Sequence, residues 1–296
     1  MQGLFSTAVI FCFLATFTAT SFADNRAEPR NILVTGSTSG LGREVALSLV
    51  DSGDHVIIHG RNKERGAALV AQLNAKRAGS ARFFAADFSA LSQVRALAAN
   101  IAAHYDHLDV LVNNAGIVRV NDPQRRISDD GHELHFQVNY LAGFLLTDLL
   151  LPLLEKNQAA RVVNVSSLAA APLDFDNLML EQGYSANRAY GQSKLAQVMH
   201  TIDLSKKLQE KGITVNALHP ESYMNTRMVL SAGLQPRSSV ADGRDAVLQL
   251  INKNNVGNGE FYNVLNLSTA NPQAYDAKVR TQLWDASLQL IAEAKK

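Results

Sequence analysis

The sequence predicts an α/β fold in which a mostly parallel sheet carries helices on both faces. Three observations predict it. Short β-rich runs alternate with longer helical stretches from residue 31 onward. Several of the short runs, among them Val110-Leu111-Val112 and Arg161-Val162-Val163-Asn164-Val165, are apolar at successive positions, as a strand is when helices cover both sides of its sheet. The first run leads through a cluster of glycines directly into a helical pattern, the order of a βα unit.

Taken in order, strands are expected near 31–35, 55–58, 81–85, 108–112, 160–165, 213–218 and 260–263. Helices are expected near 40–51, 62–77, 90–104, 130–156, 188–211 and 239–252, with a last one near 275–294 whose Val279, Leu283 and Leu290 share a face. No repeat or linker interrupts residues 24–296, which read as one domain. The irregular stretches 169–187 and 219–238 follow the fifth and sixth strands, at the carboxyl edge where open α/β sheets bind ligands, and are the candidate substrate loops.

Composition narrows the class. Hydrophobic residues make up 47% and charged residues 19%, enough apolar surface for a substantial core. A formal charge of +1 with scattered basic residues provides no field for nucleic acid, which is excluded as a partner. Residues 2–23 carry no charged side chain and end in Ser21-Phe22-Ala23, small at both positions a signal peptidase reads. Residues 1–23 are therefore expected to be a signal peptide that exports the chain to a periplasmic, secreted or lumenal location; an uncleaved membrane anchor is the alternative. Cys12, the single cysteine, lies in this segment, so residues 24–296 hold no disulfide and no thiolate metal site, and no metal is expected.

The glycine cluster is Gly36-Ser37-Thr38-Ser39-Gly40-Leu41-Gly42, between the first strand and the first helix. Glycines let the backbone turn tightly and approach a pyrophosphate, while the free N–H groups at the helix start favour negative charge. A ligand-free glycine turn would leave the same trace. An acidic residue after the second strand would accept hydrogen bonds from a ribose 2′-hydroxyl. Here the strand ends in His59-Gly60-Arg61-Asn62, and Arg61 offers a cation suited to a 2′-phosphate, so NADP(H) is expected in preference to NAD(H). Arg61 could equally be a solvated residue opening the next helix. Asp87, followed by Phe88, could accept a hydrogen bond from the adenine amine or simply cap a helix.

Chemistry points to Tyr190-Gly191-Gln192-Ser193-Lys194, where a spacing of four places an ammonium beside a phenol on one helix face. A phenol has an unperturbed pKa of about 10, and a neighbouring cation favours its ionised form, so Tyr190 could give or take a proton near neutrality. The strand Val162-Val163-Asn164-Val165 ends in Ser166-Ser167, placing a hydroxyl where it could polarise a carbonyl oxygen; turn formation is the bland role. Asn139 is polar within an apolar helical run and could hold a water beside Lys194, or be a satisfied buried amide.

Together these motifs resemble the short-chain dehydrogenase/reductase family over residues 30 to 295. The glycine turn at 35–42, Asn113-Asn114-Ala115-Gly116, Asn139, Ser167 and the Tyr190/Lys194 pair fall in the family's order. The run from Asp130 to Asn139, the following Phe144-Leu145-Leu146-Thr147 and the wide spacing from Ser167 to Tyr190 are closest to the retinol dehydrogenase and protochlorophyllide reductase branch. The resemblance implies a doubly wound (Rossmann) seven-stranded sheet and an NADP(H)-dependent oxidoreductase interconverting a carbonyl and an alcohol on a lipophilic small molecule. It further implies a proton relay through Asn139, a water, Lys194, the ribose and Tyr190, with Ser167 steadying the substrate. Asn113 to Gly116 line the adenosine side of the cleft, and Pro220 adjoins the cofactor. Helices near 130–156 and 188–211 are expected to meet a second subunit, making a homo-oligomer.

One position departs from the family: His219-Pro220 is followed by Glu221 where Pro-Gly is usual, so the geometry of the covering loop and the substrate class are open. The competing class is a sensor or interaction module that binds NADP(H) without turnover. Its mark would be a damaged Asn139, Ser167, Tyr190, Lys194 set, and all four are present.

Overall fold

The computed structural model describes residues 28–119 and 121–294, so the segment 1–23 expected to be a signal peptide or anchor lies outside the described residues. The chain alternates β1 (Asn31–Val34), α1 (Gly40–Asp51), β2 (His55–Gly60), α2 (Lys63–Lys76), β3 (Ala81–Ala85), α3 (Leu91–Ala102) and β4 (Val110–Asn113). It continues through α4 (Ala142–Leu154), β5 (Arg161–Val165), α5 (Ala186–Leu208), β6 (Thr214–His219), α6 (Arg227–Ser231), α7 (Val240–Asn252), β7 (Phe261–Asn263), β8 (Asn266–Ser268) and α8 (Ala277–Glu293).

The strands form one sheet in the order β3-β2-β1-β4-β5-β6-β7-β8. All neighbours are parallel except β7 and β8. The apolar strands divide by the two-residue period of a pleated backbone. Ile32, Val34, Ile58, Val112 and Val163 point into the core shared with α1 and α7, whereas Leu33, Ile57, Leu111, Val162 and Val215 point to the opposite face beneath α3 and α4. That two-sided burial, about 1.5–3 kcal/mol for each fully buried aliphatic side chain, is what the unbroken apolar runs encode.

Two expectations need correction. The sheet has eight strands, not seven: after β7 the chain reverses at Val264-Leu265 and β8 pairs antiparallel along the edge. The reversal carries no glycine signal, because its positive φ of 55° falls on Val264, whose N–H is tied to the His219 carbonyl (2.8 Å). The helix expected from residue 130 starts only at Leu134. Gly131 has a φ of +90°, and the Asp130 carboxylate turns away to accept from Leu91 N–H (2.8 Å) at the start of α3 and from Gln137 Nε2 (2.9 Å). Phe136–Leu141 is a widened π-helical segment that runs straight into α4.

The stretch Phe136–Leu154 is apolar and long enough to cross a membrane, yet Phe136, Leu141, Leu145, Leu146, Leu150 and Leu154 are all buried in the fold, so its hydrophobicity is that of a core helix. Within the chain, α8 packs against α5 and the start of the α4 helix. Leu283 is buried there, Trp284 packs edge-on to Phe144 (4.9 Å between rings), and Tyr140 shares a hydrogen bond with Ser287 (2.8 Å). Arg280 fastens α8 to Asp203 on α5 (2.6 Å).

This docking is testable in solution. Leu283→Ala removes a fully buried side chain and is expected to cost about 2–5 kcal/mol of stability. Urea denaturation measures it, and a loss under about 1 kcal/mol would mean that α8 is not packed as described.

Candidate active site

A cleft of roughly 1170 Å³ runs along the carboxyl edge of the sheet. One end is built on β1 and β2. After Val34 the chain passes through Gly36 and Gly40, both in the left-handed region (φ +66° and +54°), before entering α1. A side chain at Gly36 would lie 2.9 Å from Ala115 Cα, and one at Gly42 would lie 2.5 Å from Asn114 Nδ2, so close approach of backbone dictates glycine at both. Ser39, at the start of α1, makes no capping hydrogen bond, and no acidic residue stands in the first helical turn. The N–H groups of a twelve-residue helix thus face the cleft uncapped, an arrangement suited to an anion.

His59 holds this turn in place. Its Nδ1 accepts from Gly36 N–H (3.1 Å), which leaves Nε2 to donate to the Ala86 carbonyl (3.2 Å). Burial lowers its pKa to about 4, keeping the ring neutral and the acceptor available. The ring also stacks on Phe88, 4.4 Å away.

Thr38, Ser39, Gly40, Leu41, Gly42, Arg61, Asp87, Phe88, Asn114, Ala115 and Gly116 all line the cleft with Gly36. Ser37 and Asn113 do not. Ser37 is fully buried and accepts from His59 N–H (3.0 Å). Asn113 faces the core, donating to Thr147 and to Asn164 (both 2.9 Å). Both therefore brace the strands behind the cleft.

Arg61 is exposed and forms a loose pair with Asp87 at 3.5 Å, leaving the guanidinium free to face a ligand. Beside it Arg65 also lines the cleft, and its Nε is buried without a partner among the described residues. Sequence reasoning missed Arg65, although its spacing of four from Arg61 at the start of a helix is the signal for two cations on one side. This donor set, two guanidiniums beyond an uncapped helix N-terminus, fits a dinucleotide with an extra phosphate on its adenosine half.

The other end is built on β5, α5 and β6. Ser167 and Lys194 are buried, Tyr190 is partly accessible, and all three line the cleft. Lys194 Nζ stands 5.7 Å from the centre of the Tyr190 ring and donates to the Val165 carbonyl (2.8 Å) and to Gln197 (3.0 Å). Asn139 sits in the π-helical segment. Its amide is satisfied by protein, accepting from Ile117 N–H (2.7 Å) and donating to the Ile117 carbonyl (3.1 Å) and Ser193 (3.0 Å). It nevertheless flanks the lysine: a side chain at Gly116 would lie 3.2 Å from Asn139 Oδ1 and 3.6 Å from Lys194 Nζ.

The electrostatics differ from the simple expectation that Lys194 lowers the phenol pKa. Burial raises the Tyr190 pKa, the nearby Ser167 hydroxyl only partly offsets it, and burial lowers the Lys194 pKa to about 7. Desolvation is the larger effect on Tyr190, so the phenol is held protonated. Of the candidate substrate loops, Ala169, Ala171 and Asn187 of the first and most of 219–229 with Leu234 of the second form the cleft wall.

The described chain is similar to known proteins along nearly all of its length. The family profile for short chain dehydrogenase matches residues 30–236. Human retinol dehydrogenase 13 is 32% identical over 285 residues, spanning 88% of this chain and 84% of the relative. Polyprenol dehydrogenase of Danio rerio is 34% identical over 280 residues, spanning 88% and 86%. A short chain dehydrogenase of Shigella flexneri solved with NADP superposes with a TM-score of 0.67 at 28% identity, covering 80% of this chain and 97% of that one. One of Escherichia coli solved with NADPH gives 0.67 at 29%, covering 80% and 97%.

The lysine yields a prediction for the ligand-free protein. A pKa lowered in the folded state, from 10.5 to about 7, means that the native protein binds fewer protons than the unfolded chain between those values. The penalty is complete below about pH 7 and vanishes as pH rises through 10.5. Lys194→Met should therefore gain on the parent in urea denaturation at pH 6, with the advantage shrinking by pH 9.5; a difference constant with pH would contradict this.

Proposed function

Because this chain belongs to the short-chain dehydrogenase family, we propose that it is an NADP(H)-dependent oxidoreductase interconverting a carbonyl and an alcohol on a lipophilic substrate, with Tyr190 as general acid and base. The observation that carries the reading is the convergence, in one cleft, of Ser167, Tyr190 and Lys194 with the glycine turn and the Arg61/Arg65 pair.

The bound nicotinamide supplies or accepts a hydride. Everything else is work for the protein. Ser167 donates a hydrogen bond to the carbonyl oxygen and orients it toward Tyr190. The phenol, kept protonated by burial, gives its proton to that oxygen as negative charge develops, and takes it back when an alcohol is oxidised. Lys194, held by Val165 and Gln197, presents an ammonium to the ribose hydroxyls. A phosphate-bearing ligand nearby favours its charged form. Asn139 fixes the Ile117 backbone beside Gly116 and keeps the lysine channel in shape.

Arg61 and Arg65 would hold the 2′-phosphate; the two relatives solved with NADP and NADPH support an NADP(H) site in general. A lipophilic substrate is supported by the walls, where Ile117, Val118, Met224, Met228, Val229 and Leu234 meet an exposed Leu168. Relatives named for retinol and polyprenol, both apolar alcohols, agree with it. The segment 1–23 serves as export signal or anchor, and the mass of the mature N-terminus distinguishes the two.

NADPH is expected to bind at least tenfold more tightly than NADH, about 1.4 kcal/mol. Calorimetric titration checks it, and Arg61→Asp should move the preference toward NADH. A panel of carbonyl compounds followed by NADPH absorbance tests turnover. Tyr190→Phe removes one hydroxyl and should leave cofactor affinity nearly unchanged while lowering kcat by about 10²-fold or more, the scale of a lost general acid. Near-full turnover by that variant would exclude Tyr190 from proton transfer.

A further inference from the structure

The turn after β6 places a carboxylate at the reacting end of the cleft. β5 and β6 are neighbours, with Val165 opposite Leu218 and Ser166 N–H donating to the Leu218 carbonyl (2.7 Å), so Ser167 and His219 leave the sheet side by side. His219, Pro220, Glu221 and Ser222 then form cleft wall together with Tyr190 and Lys194.

Glu221 is half-buried, and its Oε1 accepts from Ser222 N–H (2.8 Å), which restrains the side chain. Among the described residues no cation pairs with it. Its neighbour His219 is buried, hydrogen-bonded to Ser222 (3.1 Å) and kept neutral by desolvation, so it does not cancel the carboxylate.

A dinucleotide that starts at Arg61 and Arg65 and passes the Gly36–Gly42 turn has one place for its reacting carbon. It must reach the carbonyl held by Ser167 and Tyr190, over the ends of β4, β5 and β6 and against the 220–222 turn. Reduction moves a hydride from the dihydronicotinamide to the carbonyl carbon and a proton from Tyr190 to the oxygen. It leaves one positive charge on the nicotinamide ring, and alcohol oxidation reverses each transfer.

We infer that Glu221 selects the redox state of the cofactor: its carboxylate attracts the cationic ring of NADP+ and has no such attraction for the uncharged dihydronicotinamide ring of NADPH. The consequence is a bound equilibrium drawn toward carbonyl reduction, because only an interaction that differs between the two states can shift the balance between them. Glycine at this position would supply no such bias. The inference rests on the reading of the cleft as an NADP(H) site.

The test needs no substrate. The ligand-free protein and its Glu221→Gln variant are titrated separately with NADP+ and with NADPH by calorimetry. Both ligands share every phosphate and ribose, so the ratio of their Kd values isolates the ring charge. Glu221→Gln preserves shape and should raise Kd(NADP+)/Kd(NADPH) by about three- to tenfold, tenfold corresponding to about 1.4 kcal/mol, mainly by weakening NADP+. Glu221→Asp, which keeps the charge, should retain most of the parent's ratio. A ratio unchanged within twofold in Glu221→Gln overturns the inference and leaves the cofactor assignment standing. Failure of the parent protein to bind either nucleotide overturns the cofactor assignment itself.

Discussion

Contact between the ends of β1 and β4 is the constraint on which the cleft depends. Thr35 Oγ1 donates to the Val112 carbonyl (3.2 Å) and accepts from Asn114 and Ala115 N–H (both 2.9 Å), while Asn114 Nδ2 donates to the Thr35 carbonyl (2.8 Å). Two chain segments that should diverge to opposite faces of the sheet are thereby sewn together at their tips. Gly36 must pass 2.9 Å from Ala115 at the position of a missing Cβ, and the crevice between the diverging chains opens directly above. Any bulk in this seam would part β1 from β4 and misplace the start of α1.

Burial acts on both ends of the cleft in the same direction. It keeps His59 neutral, so that its Nδ1 can accept from Gly36, and it opposes charge on both Tyr190 and Lys194. The hydrogen-bonding groups around Lys194 are backbone and amide oxygens, with no negative partner among them.

The rigidity needed for that chemistry comes from outside the cleft. The π-helical segment that carries Asn139 is tied to Ile117 on one side and Ser193 on the other, and α8 closes over its back through Tyr140, Phe144 and Trp284. Glu133 and His135, both buried and paired at 2.9 Å, secure the loop before it, with His135 Nε2 accepting from Arg119 N–H (3.2 Å). The aromatic packing around α4 and α5 therefore supports the helices that carry Asn139, Tyr190 and Lys194.

The α/β class, seven of the eight strands, the glycine turn and the pairing of Tyr190 with Lys194 were legible in the sequence, because each rests on local rules: a period of two or of 3.6, glycine where the backbone turns tightly, and a spacing of four along a helix; Ser167 joined them only through the resemblance of its motif order to the short-chain dehydrogenase/reductase family. What tertiary structure alone decided are matters of approach between distant segments. Ser37 and Asn113 belong to motifs but turn into the core, because His59, Thr147 and Asn164 wait there as partners. Residues 130–133 leave the helical pattern because Asp130 is drawn to the start of α3. β8 forms on a positive-φ valine held by the His219 carbonyl, without any turn signal. Burial raises the Tyr190 pKa, an effect absent from the sequence, where only the spacing to a cation that favours the ionised form is written.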